Sequence, residues 1–423
     1  MTRSDQKNKE LTATISDLHL SAGAKQSNGC LNPLEDFFRD QEFALLLRAL
    51  KERADIEHVR FQLLGDIFDP QMVEDKGKFD VLPYESVCER QMRRIIEGHP
   101  IFFDALAEFL NDERVEVIIL IGNHDFFLEW DGVKKCLLDR LGSNGQNLRF
   151  SYHEVHQGVW YTHGNIEPNN AILLTERYLL PGGKQRVHEP LLNYPYSSYL
   201  NAALTSRLRC VHSYIGRLKY HGYIIKEAAT RNWRFMIQTL FLVLKNFFSH
   251  RFLAIWEVRR KARLGINLKI LWWLVFGGDL ETYAEKIIRV VPGIKAVVCG
   301  HDHKARAVKV KGGEFFNTGA WALLYDIYWD DPLGAPWGFR LLTRAFSYLS
   351  HLWHRPTFVK VELLPIVLAR SGAGKESIGL YHFSSKEGKF IPWADASGTA
   401  PDTLETGMSS TLETGVDRRF YTA

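Results

Sequence analysis

The chain has 423 residues, 46% of them hydrophobic and 24% charged, a globular composition that excludes a collagen-like, low-complexity or wholly disordered protein. Its 53 Lys and Arg against 49 Asp and Glu leave a net charge of +4, so the overall balance singles out neither nucleic acid nor membrane as a partner. Five cysteines without C-x-x-C spacing argue against a disulfide framework or zinc ribbon and for a reducing compartment. The polar start MTRSDQKNKE lacks the layout of a secretory signal, and no apolar run reaches the roughly 18 to 20 residues of a spanning helix. The expected location is the cytoplasm, at most peripheral on the cytoplasmic face of the inner membrane.

In chain order the pattern predicts a strand at LTATIS, a helix near 34–52, a strand at VRFQLLG, a long helix near 83–112 and a strand at VEVIILIG. This is a layered α/β rhythm. Strands at NLRFSYHEV and GVWYTHG follow, the rhythm then stops for more than a hundred residues, and it resumes at IKAVVCGH, VKVKGGEFFNTG and TFVKVEL. The expected division is a core in two parts, 1–167 and 293–394, with a helical lid inserted at 168–292. A second, aromatic helical insertion is expected at about 321–356, and a disordered Gly-, Ser- and Thr-rich tail at 395–423.

Five polar clusters each follow an apolar run, where ligands gather in open α/β sheets. They are Asp17-Leu18-His19, Gly65-Asp66-Ile67-Phe68-Asp69, Gly122-Asn123-His124-Asp125, Thr162-His163-Gly164 and Gly300-His301-Asp302-His303. In extended backbone, residues two apart project to one side, so Asp17/His19 and His301/His303 can each approach one ion. Carboxylate, amide carbonyl and imidazole donors without thiolate suit Mn, Fe or Zn. Seven such donors exceed one ion's needs and fit two divalent or trivalent ions about 3.5 to 4 Å apart. Glycines 65, 122 and 300 are expected to let the backbone turn sharply after each strand. Taken singly, Asp69 could cap a helix, His163 could be a satisfied core histidine and Asn123 could occupy a turn. Five such coincidences in order are what that reading requires.

In these blocks the chain resembles the calcineurin-like metallophosphoesterase superfamily, whose ordered signature is D-x-H, G-D-x-x-D, G-N-H-[DE], a single His and G-H-x-H. The resemblance implies a four-layer αββα sandwich with the dimetal centre at its strand ends. It implies one ion held by Asp17, His19, Asp66 and His303 and another by Asp66, Asn123, His163 and His301, with Asp66 bridging. His124 would donate a proton and stabilise charge at the phosphoryl group, Asp125 would orient its ring, and Asp69 would support the ligands without touching an ion. Protein phosphatases of the superfamily continue the second motif with Arg-Gly and read G-N-H-E in the third, whereas this chain reads GDIFDP and GNHD. The layout is similar to the UDP-2,3-diacylglucosamine pyrophosphatases, cytosolic manganese enzymes with a helical lid inserted between the single His and G-H-x-H. Those enzymes typically carry Arg where this chain has His124, and their lid is shorter.

From Leu204 to Lys269 there are fourteen Lys and Arg against Glu227 and Glu257, a local charge of +12 that leaves −8 for the rest. Trp233, Phe235, Phe241, Phe247, Phe248, Phe252 and Trp256 interleave with these bases, and WGFRLLTRAFSYLSHLW at 337–353 repeats the formula. Helices with bases on one side and large apolar residues on the other can lie among anionic headgroups. The expected substrate is a phosphorylated amphiphile, lipid-linked or a nucleotide-sugar lipid, with Lys184, Arg186 and Lys304 as phosphate-binding candidates. The alternatives are a helical subdomain with its aromatics packed inward, a nucleic-acid or nucleotide phosphodiesterase with a single-strand groove, and a membrane-associated non-catalytic scaffold. The density of Leu, Phe and Trp disfavours nucleic acid, and the full donor set disfavours the scaffold.

Overall fold

The computed structural model of the chain describes residues 9–25, 29–79, 83–142, 147–165, 179–180, 191–192, 206–211, 280–328, 357–360, 363–371 and 377–393. Its first half alternates β1 (Glu10–Ile15), α1 (Asp40–Lys51), β2 (His58–Leu64), α2 (Glu85–Gly98), α3 (Pro100–Leu110), β3 (Val115–Leu120), α4 (Asp131–Leu141) and β4 (Leu148–Ser151). Strands β1 to β4 pair in parallel. Three later strands, β14 (Pro365–Ser371), β15 (Ser377–Ser384) and β16 (Lys389–Pro392), extend them antiparallel from the β1 side to complete a seven-stranded sheet.

A second sheet runs β10-β11-β9-β6-β5, built from β5 (His153–His156), β6 (Val159–Thr162), β9 (Ala296–Cys299), β10 (Arg306–Val310) and β11 (Gly313–Asn317). The short pairs β7 (Leu179–Leu180) with β8 (Leu191–Leu192) and β12 (Tyr325–Tyr328) with β13 (Thr357–Lys360) stand apart from both sheets. Helix α5 (Ser206–Val211) lies between β8 and β9 in sequence, as does α6 (Leu280–Val290).

Strand β3 shows how the layers arise. Its VEVIIL sequence sends Val115, Val117 and Ile119 into the core under the α1–α4 helices, and Ile118 and Leu120 into the core between the sheets. The two-residue period of a strand divides these side chains, and burial on both faces demands a nearly continuous apolar run. Across the intersheet core stand Tyr161, Val298 and Phe316 of the second sheet. The outer face of that sheet packs Val297, Cys299 and Phe315 against Leu280, Tyr283 and Ala284 of α6. Helices, sheet, sheet and helix make the expected αββα sandwich.

Three boundaries differ from expectation. The helix near 83–112 is two helices, because Pro100 has no N–H for the preceding turn and instead opens α3 at its first position. Helix α6 lies within the stretch expected as lid but closes the sandwich. The insertion expected from about 321 begins with core residues: Trp321 is fully buried and donates its ring N–H to Pro365 O at 2.8 Å. Most of 168–279, the segment 337–353 and the tail lie outside the described residues. Among the described residues, no helix is long and apolar enough to cross a membrane.

Candidate metal centre

Strands β1, β2 and β3 of one sheet and β6 and β9 of the other end at the same edge of the sandwich, and the five polar clusters are the loops that leave them. Backbone hydrogen bonds tie these loops together. Asp17 N–H donates to Gly65 O (3.1 Å), His19 N–H to Asp66 O (3.0 Å), and Gly300 N–H to His163 O (3.1 Å). Across the sheets, His301 N–H reaches Asp17 Oδ2 at 3.0 Å, and within the first sheet His124 N–H reaches Asp66 Oδ1 at 2.8 Å.

Three groups of side chains have ligand atoms within 4.8 Å of one another: Asp17, His19 and His303; Asp66, His163 and His301; and His19, Asp66 and His124. The first holds three of the four ligands that the resemblance implies for one ion, without Asp66, and the second three of the four implied for the other, without Asn123. Asp66 lies in the second and third groups, and the third brings it together with His19 of the first and with His124. Asn123 is buried in the loop between β3 and α4.

The donor set fits cations. His19 Nε2 and His303 Nε2 face each other at 3.3 Å, as do His163 Nε2 and His301 Nδ1. Atoms about 2.1 Å from one ion at a tetrahedral angle lie about 3.4 Å apart, so each pair has the span of a coordination edge. His163 Nδ1 sits 2.9 Å from Leu64 O. Donation of that N–H to the carbonyl leaves Nε2 as the lone-pair donor, 3.1 Å from Asp66 Oδ2.

The pairs do not converge through extended backbone as expected. Asp17, His19, Asp66, His301 and His303 all have positive φ, between 51° and 74°, and they are five of the seven non-glycine residues with that conformation among the described residues. For an L-residue the left-handed region costs about 1 to 2 kcal/mol, and such strain concentrates where function demands a fixed geometry. Glycine serves this geometry in two ways. Gly65 adopts a positive φ of 83°, whereas Gly122 and Gly300 permit close approach. A methyl at Gly122 would overlap the Asp66 carboxylate, and one at Gly300 the Ser16 hydroxyl and Asp17 carboxylate.

Burial alone would raise the Asp66 carboxyl, but the imidazoles of His163, His124 and His19 outweigh it and hold the group well below the ordinary range. The same opposition, against His303 and His163, lowers Asp17. Burial acts against the charged form of His163, yet Asp66 and Asp17 push it up to about 9. His301 goes the other way, to about 3, through burial and the neighbouring His163 charge.

His124 has its Nε2 3.9 Å from Asp66 Oδ2. Although burial opposes its charge, Asp66 and Asp69 raise it to about 10. The expectation that Asp125 orients this ring is corrected. Its carboxylate turns away and accepts the N–H groups of Phe68 (2.8 Å), Gly122 (3.1 Å) and Ile67 (3.3 Å). The residue facing the ring is Asp69, whose Oδ1 lies 3.2 Å from His124 Nδ1 and whose Oδ2 lies 3.6 Å from His19 Nδ1.

Lys304 follows His303, and its backbone N–H donates to Asp302 Oδ1 at 3.0 Å. Lys184 and Arg186 lie outside the described residues. Residues that the motifs did not single out also support the site. Arg306 bridges Asp302 (2.7 Å) and Glu281 of α6 (2.6 Å), and Asn317 Nδ2 donates to Gly300 O (2.7 Å) and Asp302 Oδ1 (2.9 Å). The nearest sequence signal for them is Asp302 itself, the unassigned residue inside G-H-x-H.

Comparison with curated proteins gave no match. The family model for calcineurin-like phosphoesterases matches residues 12–305, well over half of the chain. That span runs from within β1 to just beyond His303, so it holds all seven donors. The family is dimetal-dependent, and the site carries candidate metal-ligand clusters. The chain belongs to the calcineurin-like phosphoesterase family and is a metal-dependent phosphoester hydrolase.

Proposed function

We propose that the chain hydrolyses a phosphoester or pyrophosphate bond in an amphiphilic, lipid-linked substrate at the cytoplasmic membrane face, with manganese as the preferred ion. The observation carrying the chemistry is the arrangement around Asp66, with His163 at 3.1 Å and His124 at 3.9 Å from its Oδ2. Asp17, His19, Asp66 and His303 would hold one ion, and Asp66, Asn123, His163 and His301 the other. When bound, such a pair lowers the pKa of water toward neutrality and offsets charge on phosphoryl oxygens. The side chains do the rest. Asp66 would be shared by the two ions, and His124, kept protonated by the facing Asp66 and Asp69 carboxylates, would donate a proton to the leaving oxygen.

The lipid-linked substrate is supported by the +12 charge and interleaved aromatics of 204–269, and by the layout shared with the UDP-2,3-diacylglucosamine pyrophosphatases. The core is contacted from within that stretch and from just after it. Arg209 of α5 pairs with Asp36 at 2.5 Å, and Glu281 of α6 joins Arg306 and Asp302 beside the histidine pair. Full-length protein with Mn²⁺ should turn over an aryl phosphodiester and co-sediment with anionic but not zwitterionic liposomes. Absence of turnover with any divalent ion would refute the chemistry. Failure to bind liposomes, with retained affinity for single-stranded DNA, would replace the lipid substrate with nucleic acid.

A further inference from the structure

The two oxygens of the buried Asp17 carboxylate have different surroundings. Oδ1 faces the histidines, 3.2 Å from His303 Nε2 and 4.0 Å from His19 Nε2. Oδ2 accepts hydrogen bonds from the Ser16 hydroxyl and from His301 N–H. The Ser16 hydroxyl lies 2.6 Å from Thr318 Oγ1 and 3.1 Å from Gly319 O. Thr318 belongs to the turn after β11, in the other sheet. That turn is locked by Thr318 N–H to Cys299 O (2.9 Å) and by Gly319 N–H to Asn317 Oδ1 (2.8 Å), and Trp321 N–H and Ala322 N–H then reach Asp17 O. Ser16, Asp17, Asn317 and Thr318 are all fully buried, so water cannot substitute for a lost hydroxyl.

We infer that the Ser16–Thr318 hydroxyl pair positions Asp17, saturating Oδ2 so that Oδ1 alone is presented to the ion held with His19 and His303. Ser16 Oγ–H donates to Asp17 Oδ2, and Ser16 Oγ is held from behind by Thr318 Oγ1, which also lies 3.2 Å from Cys299 O. In a dry environment such a chain polarises each link, and hydrogen bonds to the rear oxygen fix the plane of the carboxylate. The pair also spans the sheets: Ser16 and Asp17 leave β1, while Thr318 leaves β11 beside the β9 loop that carries both histidines. It therefore sets the distance between ligands from opposite halves of the sandwich. Neither residue touches an ion, and both act through Asp17.

This inference rests on the dimetal reading, and one experiment separates the two. Full-length wild type, Ser16→Ala, Thr318→Val and Thr318→Ser are stripped with chelator, titrated with Mn²⁺ by calorimetry and melted without metal. Loss of an outer hydrogen bond to a metal ligand weakens binding by about 10- to 100-fold. That loss is expected at one of two sites in Ser16→Ala and Thr318→Val, with Thr318→Ser restored to within a few fold. Wild-type affinity in both Ser16→Ala and Thr318→Val would overturn the inference while leaving the dimetal reading intact, as would a loss that Thr318→Ser shares in full. A reduced metal-free melting temperature with unchanged affinity would also overturn it, since that is what a purely structural hydroxyl pair produces. A wild-type chain that binds no Mn²⁺ would overturn the dimetal reading itself.

Discussion

Asp69 Oδ1 lies 3.2 Å from His124 Nδ1, and through this contact a carboxylate from the loop after β2 favours the charged form of a ring carried by the loop after β3. Burial would raise the Asp69 carboxyl, but the facing His124 and His19 rings hold it well below the ordinary range. Asp69→Asn should therefore lower kcat by about 10²-fold, within the range of lost general-acid catalysis, while both ions remain bound. Asp125→Asn should act on stability instead, by about 1 to 3 kcal/mol, because it loses an acceptor shared by three buried N–H groups. Steady-state kinetics and thermal melting of the two variants distinguish them. The reverse pattern would restore Asp125 as the orienting residue.

The exchange of roles between Asp69 and Asp125 shows what the sequence could and could not convey. Asp17, Asp66, His163 and His301 were legible because each follows an apolar strand, and a parallel sheet brings consecutive strand ends to one edge. Which of two aspartates faces a ring depends on a short helical turn, Asp125–Glu129, that carries the Asp125 carboxylate back toward β2. No spacing rule encodes that turn. Ser16 and Thr318 were silent for a different reason: a hydroxyl pair has no ligand chemistry of its own and meets only when the two sheets pack. The break at His99–Pro100 was missed because apolar periodicity continues across it, although the proline fixes where it falls.

His99 provides a pH test away from the metal centre. Its ring is buried between Glu35 Oε2 (3.1 Å) and Asp40 Oδ1 (3.0 Å). Burial disfavours its charge, but the hydrogen bonds its ring donates to Asp40 and Glu35 raise it to about 9. An unfolded histidine titrates near 6.5, so protonation of the native ring contributes stability on the order of 3 kcal/mol. This contribution is complete below about pH 6.5 and disappears as the pH rises through about 9. Denaturant unfolding at pH 6, 8 and 10 should show the gap between wild type and His99→Gln closing with rising pH. A gap independent of pH would contradict the charged assignment.

Arg209 is buried against Asp36, with Nη2 2.5 Å from Oδ1 and 3.3 Å from Pro33 O. Arg209→Met removes the countercharge of a buried carboxylate, a loss of about 3 to 5 kcal/mol when felt in full. Helix α5 makes this contact from a short segment, so the expected response is local detachment. Hydrogen exchange at Ser206–Val211 should accelerate while β1, β2 and β3 stay protected. Unchanged exchange at α5 would show that the ion pair does not hold it.

The central claim is that Asp66 is shared by two ions. Anomalous diffraction from crystals of the full chain loaded with Mn²⁺ tests it most directly. The expected result is two peaks about 3.5 to 4 Å apart, one among Asp17, His19 and His303 and one among Asn123, His163 and His301, with the Asp66 carboxylate between them. A single peak, or two peaks with Asp66 bound to only one, would contradict it.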